Sequence, residues 1–343
     1  MGKGKRAIDE LAERRERLLA KIALPCAVFH NGGDGLGKSS FEYFSGCSIE
    51  GAYLALRKGK GKLLVREMDY REAKAASHYP VTLLGKDAPK QLRTACKGRA
   101  GACLSEMSAS RYAALGKMAK IRLVDITDAV MAVRSRKSRQ EMKIMAGAAK
   151  ISKGILERLD PWEFSTEEEL MRHLHILALK NGCKLAYEPI VATGRNSSCP
   201  HNKPGKARLG GMVLVDFGVK WQGYCTDFTN CYFRKSGTAE ERAYGKCARI
   251  FDAIAERLDG CKTGRDAALL SERLIKEVGL PRLIHSIGHG VGRDVHEYPR
   301  LGAKSQDSLD GAVVALEPAA YFAKFGVRYE RMIANAGGQW ELL

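Results

Sequence analysis

None of the ten cysteines forms a CxxC pair, so neither a cysteine-based zinc site nor a thioredoxin-like motif is supported. Ten cysteines in 343 residues are also too few for a disulfide scaffold. The expectation is buried or free thiols in a reducing cytoplasm. No apolar run approaches the roughly 18 residues of a membrane-spanning helix, so no membrane partner is expected. The opening MGKGKRAIDELAERRERLLAK lacks the apolar stretch of a secretory signal. Arg6 stands where a myristoylation signal has Ser or Thr. Aromatic residues make up only 7% of the chain, and no RNA-binding motif accompanies its basic stretches. A nucleic-acid partner is therefore not expected.

What is present is the make-up of a folded protein, with 45% apolar and 28% charged residues. At about 100 to 200 residues per domain, this length suggests two domains. Lys and Arg number 57 against 39 Asp and Glu, a net charge of +18. That favours solubility and weak attraction to polyanions and says nothing about fold. The excess is uneven: residues 57–99 alone hold twelve basic and four acidic side chains. The reading here is a solvated face.

Residues 1–125 read as an α/β domain. Ile8, Leu11, Leu18 and Leu19 have helical spacing within residues 7–22. Strands are expected at Ala27–Phe29, Tyr53–Leu56, Leu63–Val65, Val81–Leu84 and Ile121–Val124, separated by Gly, Lys and Asp clusters. Residues 126–343 open with Ser138 and Glu141, an S-x-x-E capping box ahead of Met142, Met145, Ala149 and Ile151. Ser165 with Glu168 and Thr238 with Glu241 repeat the device. A fourth helix is expected over 265–278. Strands are expected at 187–193, 212–219, 224–233, 283–287, 312–316 and 327–334. Two helix pairs alternating with strands suggest an α+β domain with two related halves.

The chemistry concentrates in the second domain. In GGMVLVDFGVKWQGYCTDFTNCYF one strand delivers Asp216 and the next delivers Asp227. Carboxylates on neighbouring antiparallel strands can face one point. HSIGHGVGRDVHEYPR follows, with His285, His289 and His296. Glu317 in VVALEPAAYF and Glu330 in VRYERMIAN end apolar runs. Taken singly, each has an ordinary explanation as a turn, cap or surface residue. Together they do not, because four converging carboxylates repel one another and bind protons. Two divalent cations balance four negative charges, and one imidazole completes a shell. Mostly oxygen ligands with one nitrogen suit Mn²⁺, Co²⁺, Fe²⁺ or Zn²⁺.

These motifs resemble the pita-bread metallopeptidases: Xaa-Pro dipeptidase (prolidase), aminopeptidase P and methionine aminopeptidase. The resemblance implies a C-terminal pita-bread (creatinase/aminopeptidase-like) catalytic domain behind a smaller N-terminal α/β domain. It implies Asp216, Asp227, His289, Glu317 and Glu330 as ligands of two divalent ions, Mn²⁺ or Co²⁺ foremost. Asp227 and Glu330 would bridge both ions, and Glu317 would shuttle the proton of the attacking water. The segment IVATGRNSSCPHNKP is similar to the one that carries a substrate-side histidine, here His201. His296 matches a second, which stabilises the tetrahedral intermediate. Arg300 matches the prolidase arginine that pairs with a dipeptide carboxylate, and Tyr224 a substrate-side tyrosine. SSFEYFSGCSIEGAYLAL resembles the N-terminal domain that methionine aminopeptidase lacks.

The implied function is an Xaa-Pro dipeptidase acting on short proline-containing peptides as a cytoplasmic homodimer. Aminopeptidase P is the alternative. A further rival is a metal-free pita-bread module that binds protein or nucleic acid, but such modules usually shed ligands and this chain keeps all five. Three positions depart from the family pattern: Asn230 replaces an Arg, Arg331 an Asp and Ala319 a Gly. Two other patterns are set aside. GGDGLGKS (32–39) has Walker A spacing, but SFEYFSG after it alternates and is expected to be a turn rather than the helix a P-loop needs. His173 and His175, two apart on a helix, face different ways.

Overall fold

The computed structural model describes residues 2–32 and 36–343. Gly33, Asp34 and Gly35 of the GGDGLGKS segment lie outside the described residues. The chain groups into two compact units, the first ending at Arg134 and the second spanning Ser135–Leu343. The division falls later than the expected boundary after residue 125. The reason is packing: Ile126, Val130 and Val133 are buried in the core of the first unit.

In the first unit a period of two decides which side chains meet which layer. The elements are α1 (Gly2–Lys21), β1 (Ala27–His30), α2 (Lys38–Ser45), β2 (Tyr53–Arg57), β3 (Lys60–Val65), α3 (Tyr70–Ala76), β4 (Val81–Leu83), α4 (Ala88–Cys96), β5 (Arg99–Ala102), α5 (Ala109–Lys117), β6 (Arg122–Asp125) and α6 (Thr127–Ser135). The six strands form one mixed sheet in the order β4-β3-β2-β1-β5-β6. Phe29, Leu54, Leu56, Leu63 and Val65 point to one face, beneath Leu11, Leu18, Phe41, Phe44 and Val130. Val28, Tyr53, Ala55 and Leu64 point to the other, beneath Leu92, Cys96 and Leu115. Each fully buried aliphatic or aromatic side chain of this kind contributes about 1.5–3 kcal/mol.

Two expectations fail here. Strand β5 went unpredicted because Arg-Ala-Gly-Ala has no β-branched or aromatic residue, yet Ala100 and Ala102 are fully buried. The segment after GGDGLGKS is a helix, α2, rather than a turn. Phe41, Tyr43 and Phe44 are buried side chains of that helix, which stops at Gly46 with φ 72°.

The second unit contains α7 (Arg139–Glu157), α8 (Glu167–Lys180), β7 (Lys184–Leu185), β8 (Ile190–Thr193), β9 (Met212–Phe217), β10 (Val219–Trp221), β11 (Tyr224–Cys225) and β12 (Phe228–Phe233). It continues with α9 (Ala239–Ala255), α10 (Gly264–Glu277), β13 (Gly288–Gly290), β14 (Glu297–Arg300), β15 (Val313–Leu316), β16 (Ala319–Tyr321), β17 (Gly326–Arg328), β18 (Arg331–Ala336) and β19 (Gln339–Leu342). Each half supplies two helices and then an antiparallel sheet, β12-β9-β8 in the first and β14-β13-β15-β18-β19 in the second. The capping box at Ser138 and Glu141 forms as expected. The cap of α8 is Thr166, not Ser165; its hydroxyl accepts from the Glu169 N–H.

The expected long strands are broken, and the breaks matter. The 224–233 run splits at Thr226-Asp227, and the 327–334 run splits at Tyr329-Glu330. The strand expected at 283–287 begins later, at Gly288, so that it carries His289 itself. Among the described residues no helix is long and apolar enough to cross a membrane. All ten cysteines are free thiols.

Candidate metal centre

Five acidic and imidazole side chains converge where the two sheets of the second unit meet. Asp216 is the fifth residue of β9, opposite Thr229 of β12. Asp227 and Glu330 occupy the two strand breaks. An isolated antiparallel bridge between Thr229 and Glu330 ties those breaks together. His289 is the middle residue of β13, opposite Ala315. Glycines flank it because a Cβ on Gly288 would lie 2.0 Å from the Ala315 carbonyl oxygen, and one on Gly290 2.3 Å from the Tyr298 carbonyl. Glu317 follows β15 directly, its N–H donating to the Ile287 carbonyl at 2.8 Å.

Ligating atoms of these residues lie within 4.8 Å of one another in three overlapping sets: Asp216 with Asp227 and Glu330, His289 with Glu317 and Glu330, and Asp227 with His289 and His296. Asp227 and Glu330 each belong to two sets. Asp216, Asp227 and Glu330 are buried.

Such crowding has an electrostatic signature. Burial, reinforced by Asp227 and opposed by Arg328, pushes the Asp216 carboxyl up to about 6. Burial pushes Glu317 up to about 7 against the pull of Arg328 and His289. Burial raises Glu330 well above the usual carboxylate range, with Asp227, Asp216 and Glu317 adding repulsion. Asp227 is the exception. Burial would raise it, but the His289 hydrogen bond and charge and the Tyr187 hydroxyl hold it low. The donor set therefore fits two divalent cations: three of four carboxyls are held toward the protonated form, and a cation would displace those protons.

Among the remaining residues of the site, Tyr187, Thr229 and Arg328 were not legible as site residues, whereas His285 stood among the candidates. Arg328, fully buried, donates to Asp216 and, at 3.0 Å, to the Thr229 hydroxyl. Its Nη1 lies 3.1 Å from the Tyr321 hydroxyl. The Thr229 hydroxyl donates to Glu330 Oε2 at 2.6 Å. The Tyr187 hydroxyl bridges Asp216 and Asp227, 2.5 Å from an oxygen of each. The His285 ring lies between the Tyr321 hydroxyl (2.9 Å) and Glu317 (3.6 Å), and burial lowers its pKa to about 4. One signal was available: an Arg two residues before Glu330 in an apolar strand needs a carboxylate partner.

His296 belongs to the cluster, its ring 3.9 Å from that of His289. The next residue, Glu297, makes a buried 2.8 Å ion pair with Lys137, and its other oxygen accepts from the Arg293 N–H. That pair anchors the start of β14 beside His296. His201 is exposed, and burial lowers the pKa of His296, with His289 adding to the effect.

Two expected substrate residues have protein partners of their own, and Arg300 stands directly opposite His289 in the β13–β14 pair. Tyr224 is buried, and its hydroxyl donates at 2.9 Å to Glu141, the capping-box acid of α7. The Arg300 guanidinium pairs with both oxygens of Asp307, at 2.9 and 3.1 Å, and stacks on Tyr298. His173 packs on Phe164 and His175 pairs with Glu188, as their opposite facing required.

The departures at 230 and 331 adjoin Thr229 and Glu330 in the chain. Arg331 Nη1 donates to the carbonyls of Thr229 (2.9 Å) and Glu330 (2.7 Å), and its guanidinium stacks on Tyr329. It thus staples the bridge that holds both strand breaks. Asn230 Oδ1 is buried with no donor among the described residues.

Residues 140–334 match the model of metallopeptidase family M24, and residues 14–136 match the creatinase/prolidase N-terminal domain. The chain is 34% identical over 219 residues to an uncharacterized peptidase of Methanocaldococcus jannaschii, a match covering 60% of this chain and 62% of that one. It is 29% identical over 303 residues to an Xaa-Pro dipeptidase of Pyrococcus furiosus, covering 84% and 86%. The solved prolidase of Pyrococcus horikoshii OT3 superposes with a TM-score of 0.85 at 26% identity, covering 97% of each chain.

Proposed function

Because this chain belongs to metallopeptidase family M24, with the creatinase/prolidase domain ahead of its pita-bread catalytic domain, we propose that it is a dinuclear metal-dependent Xaa-Pro dipeptidase. The observation that carries this reading is the three overlapping ligand sets, in which Asp227, Glu330 and His289 each occur twice. In the proposed site Asp227 and Glu330 would be shared between the two ions, Asp216 would complete one set of ligands, and His289 with Glu317 would complete the other. Two divalent ions, Mn²⁺ or Co²⁺, would supply Lewis acidity and lower the pKa of an attacking water.

The protein's own groups do the rest. Glu317, the ligand at the edge of the cluster, can take a proton from the attacking water and return it to the leaving proline nitrogen. The His285–Tyr321 pair positions that carboxylate. His296, on the solvent side of His289, donates to the developing oxyanion, and His201 faces the substrate. Tyr187 and Arg328 hold Asp216 in place.

One observation favours a second reading. A dipeptide clamp at Arg300 requires the guanidinium to leave Asp307, whereas a longer peptide needs no carboxylate partner there. Aminopeptidase P activity is therefore the alternative. The test is hydrolysis of Met-Pro against Met-Pro-Pro-Ala by Mn²⁺- or Co²⁺-loaded protein, with a chelated control. Chelator-sensitive cleavage of the dipeptide alone is expected. Preference for the longer peptide would move the assignment to aminopeptidase P, and cleavage of neither would remove the proline specificity.

A further inference from the structure

The first unit carries a groove of about 590 Å³ that the peptidase reading does not use. It lies on the sheet face covered by α4 and α5. Helix α4 is nine residues long. Its Leu92 and Cys96 pack on the inner strands, with Val28 and Ala100. Toward the β4 edge the face stays open. Ala55, Leu64, Pro80 and Ala95 line the groove with apolar surface, and Arg57, Lys60, Lys62 and Lys90 line it with positive charge. Asp87 is the one carboxylate in the lining.

Strand register concentrates this charge. Arg57 stands directly opposite Lys60 across the β2–β3 hairpin, and Lys62 stands opposite Ala55, one pair further along the same face. Directly opposed residues have Cβ atoms about 5 Å apart, and diagonal neighbours about 7 Å. Like charges in those positions repel and destabilise the hairpin. No carboxylate relieves them: none of these four cationic side chains makes a hydrogen bond or ion pair among the described residues. Glu16, the nearest acid to the hairpin turn, is engaged with Arg15 and with the Gly59 N–H. Lys90 closes the groove from the helix side. A sheet face with three crowded cations, a fourth opposite and an apolar floor is built for an anion with an apolar body. The volume is that of a small-molecule site rather than of a protein interface.

We propose that this groove binds a polyphosphate-bearing small molecule of the nucleotide class. The phosphates lie between the hairpin cations and Lys90, and the base lies on Ala55, Leu64, Pro80 and Ala95.

The test is calorimetric titration of the metal-free full chain with ATP, with inorganic triphosphate and with a single-stranded oligonucleotide, at salt concentrations between about 50 and 200 mM. The groove variant replaces Lys60, Lys62 and Lys90 by Gln. A control variant of equal charge replaces Lys117, Lys235 and Lys304 by Gln, all exposed outside the groove. ATP is expected to bind more tightly than triphosphate, and weaker as salt rises. The groove variant should lose at least about tenfold in affinity, because it removes three cations that would each make a charged hydrogen bond to phosphate. The control should stay within about twofold, and Met-Pro hydrolysis should be unchanged in both. Equal losses in the two variants, or no ATP binding at all, would overturn the proposal. Equal affinity for ATP and triphosphate would replace the nucleotide by a bare polyphosphate. Groove-dependent binding of the oligonucleotide alone would assign the surface to nucleic acid instead.

Discussion

The two units treat an excess of like charge in opposite ways. In the second, Asp216, Asp227, Glu317 and Glu330 are drawn together largely out of water, and burial, with mutual repulsion added, raises the proton affinity of all but Asp227. In the first, Arg57, Lys60, Lys62 and Lys90 crowd one open sheet face, where solvent screens them. Burial turns crowding into a strong demand for a counter-ion. Exposure leaves a weak one, worth a salt-dependent affinity. The acidic cluster should therefore govern activity and the pH dependence of stability, and the basic groove should leave activity unchanged.

The sharpest way to break this contrast is Asp227→Ala. It removes a carboxylate belonging to two ligand sets, so metal loading should be lost and hydrolysis should fall to the chelated baseline while circular dichroism stays native. His296→Ala should separate chemistry from metal binding. Turnover should drop by about 10²–10³, as for a lost oxyanion donor, with metal content retained. Equal losses of both would make His296 a ligand rather than an oxyanion donor.

Next in size is the pH dependence of the metal-free protein. Asp216, Glu317 and Glu330 bind protons more tightly folded than unfolded, burial being the first cause in each. Their contribution to stability is present below the ordinary carboxylate range and is lost as pH rises through about 6 to 7. Thermal unfolding should therefore shift downward between about pH 5 and pH 8, and Mn²⁺ should reverse the shift. His285, held down to about 4 by burial, acts the other way below its ordinary value of 6.5, so the fall should be clearest above that pH, and a flat profile there would mean that the cluster is not crowded. The smallest effect is expected from Arg331→Ala, which frees the carbonyls of Thr229 and Glu330. Metal affinity should weaken by about tenfold, as for other residues that orient ligands, with Arg331→Lys restoring part of it.

Legibility in the sequence followed the same divide between local and tertiary. Asp216, Glu317 and Glu330 could be read because each ends an apolar run, and His289 because glycines bracket it. Tyr187, Arg328 and Lys137 could not, since their partners are brought to them only by the folded sheets. Resemblance carried Tyr224 and Arg300 toward the substrate, and the partners that hold their polar ends, Glu141 and Asp307, could not be paired with them from the sequence. The strands were legible as apolar runs, whereas the breaks at Asp227 and Glu330 were not. Those breaks are set by the Thr229–Glu330 bridge, a contact between residues a hundred positions apart. Strand β5 and helix α2 were missed for a different reason: tertiary burial overrode their weak local preference.

The central claim is tested most directly by counting metal. Protein loaded with Mn²⁺, freed of excess and assayed by plasma mass spectrometry should hold two ions per chain, the Asp227→Ala variant should hold almost none, and Met-Pro hydrolysis should follow the count. A wild-type chain that retains no metal, or that cleaves Met-Pro equally well after chelation, would contradict it.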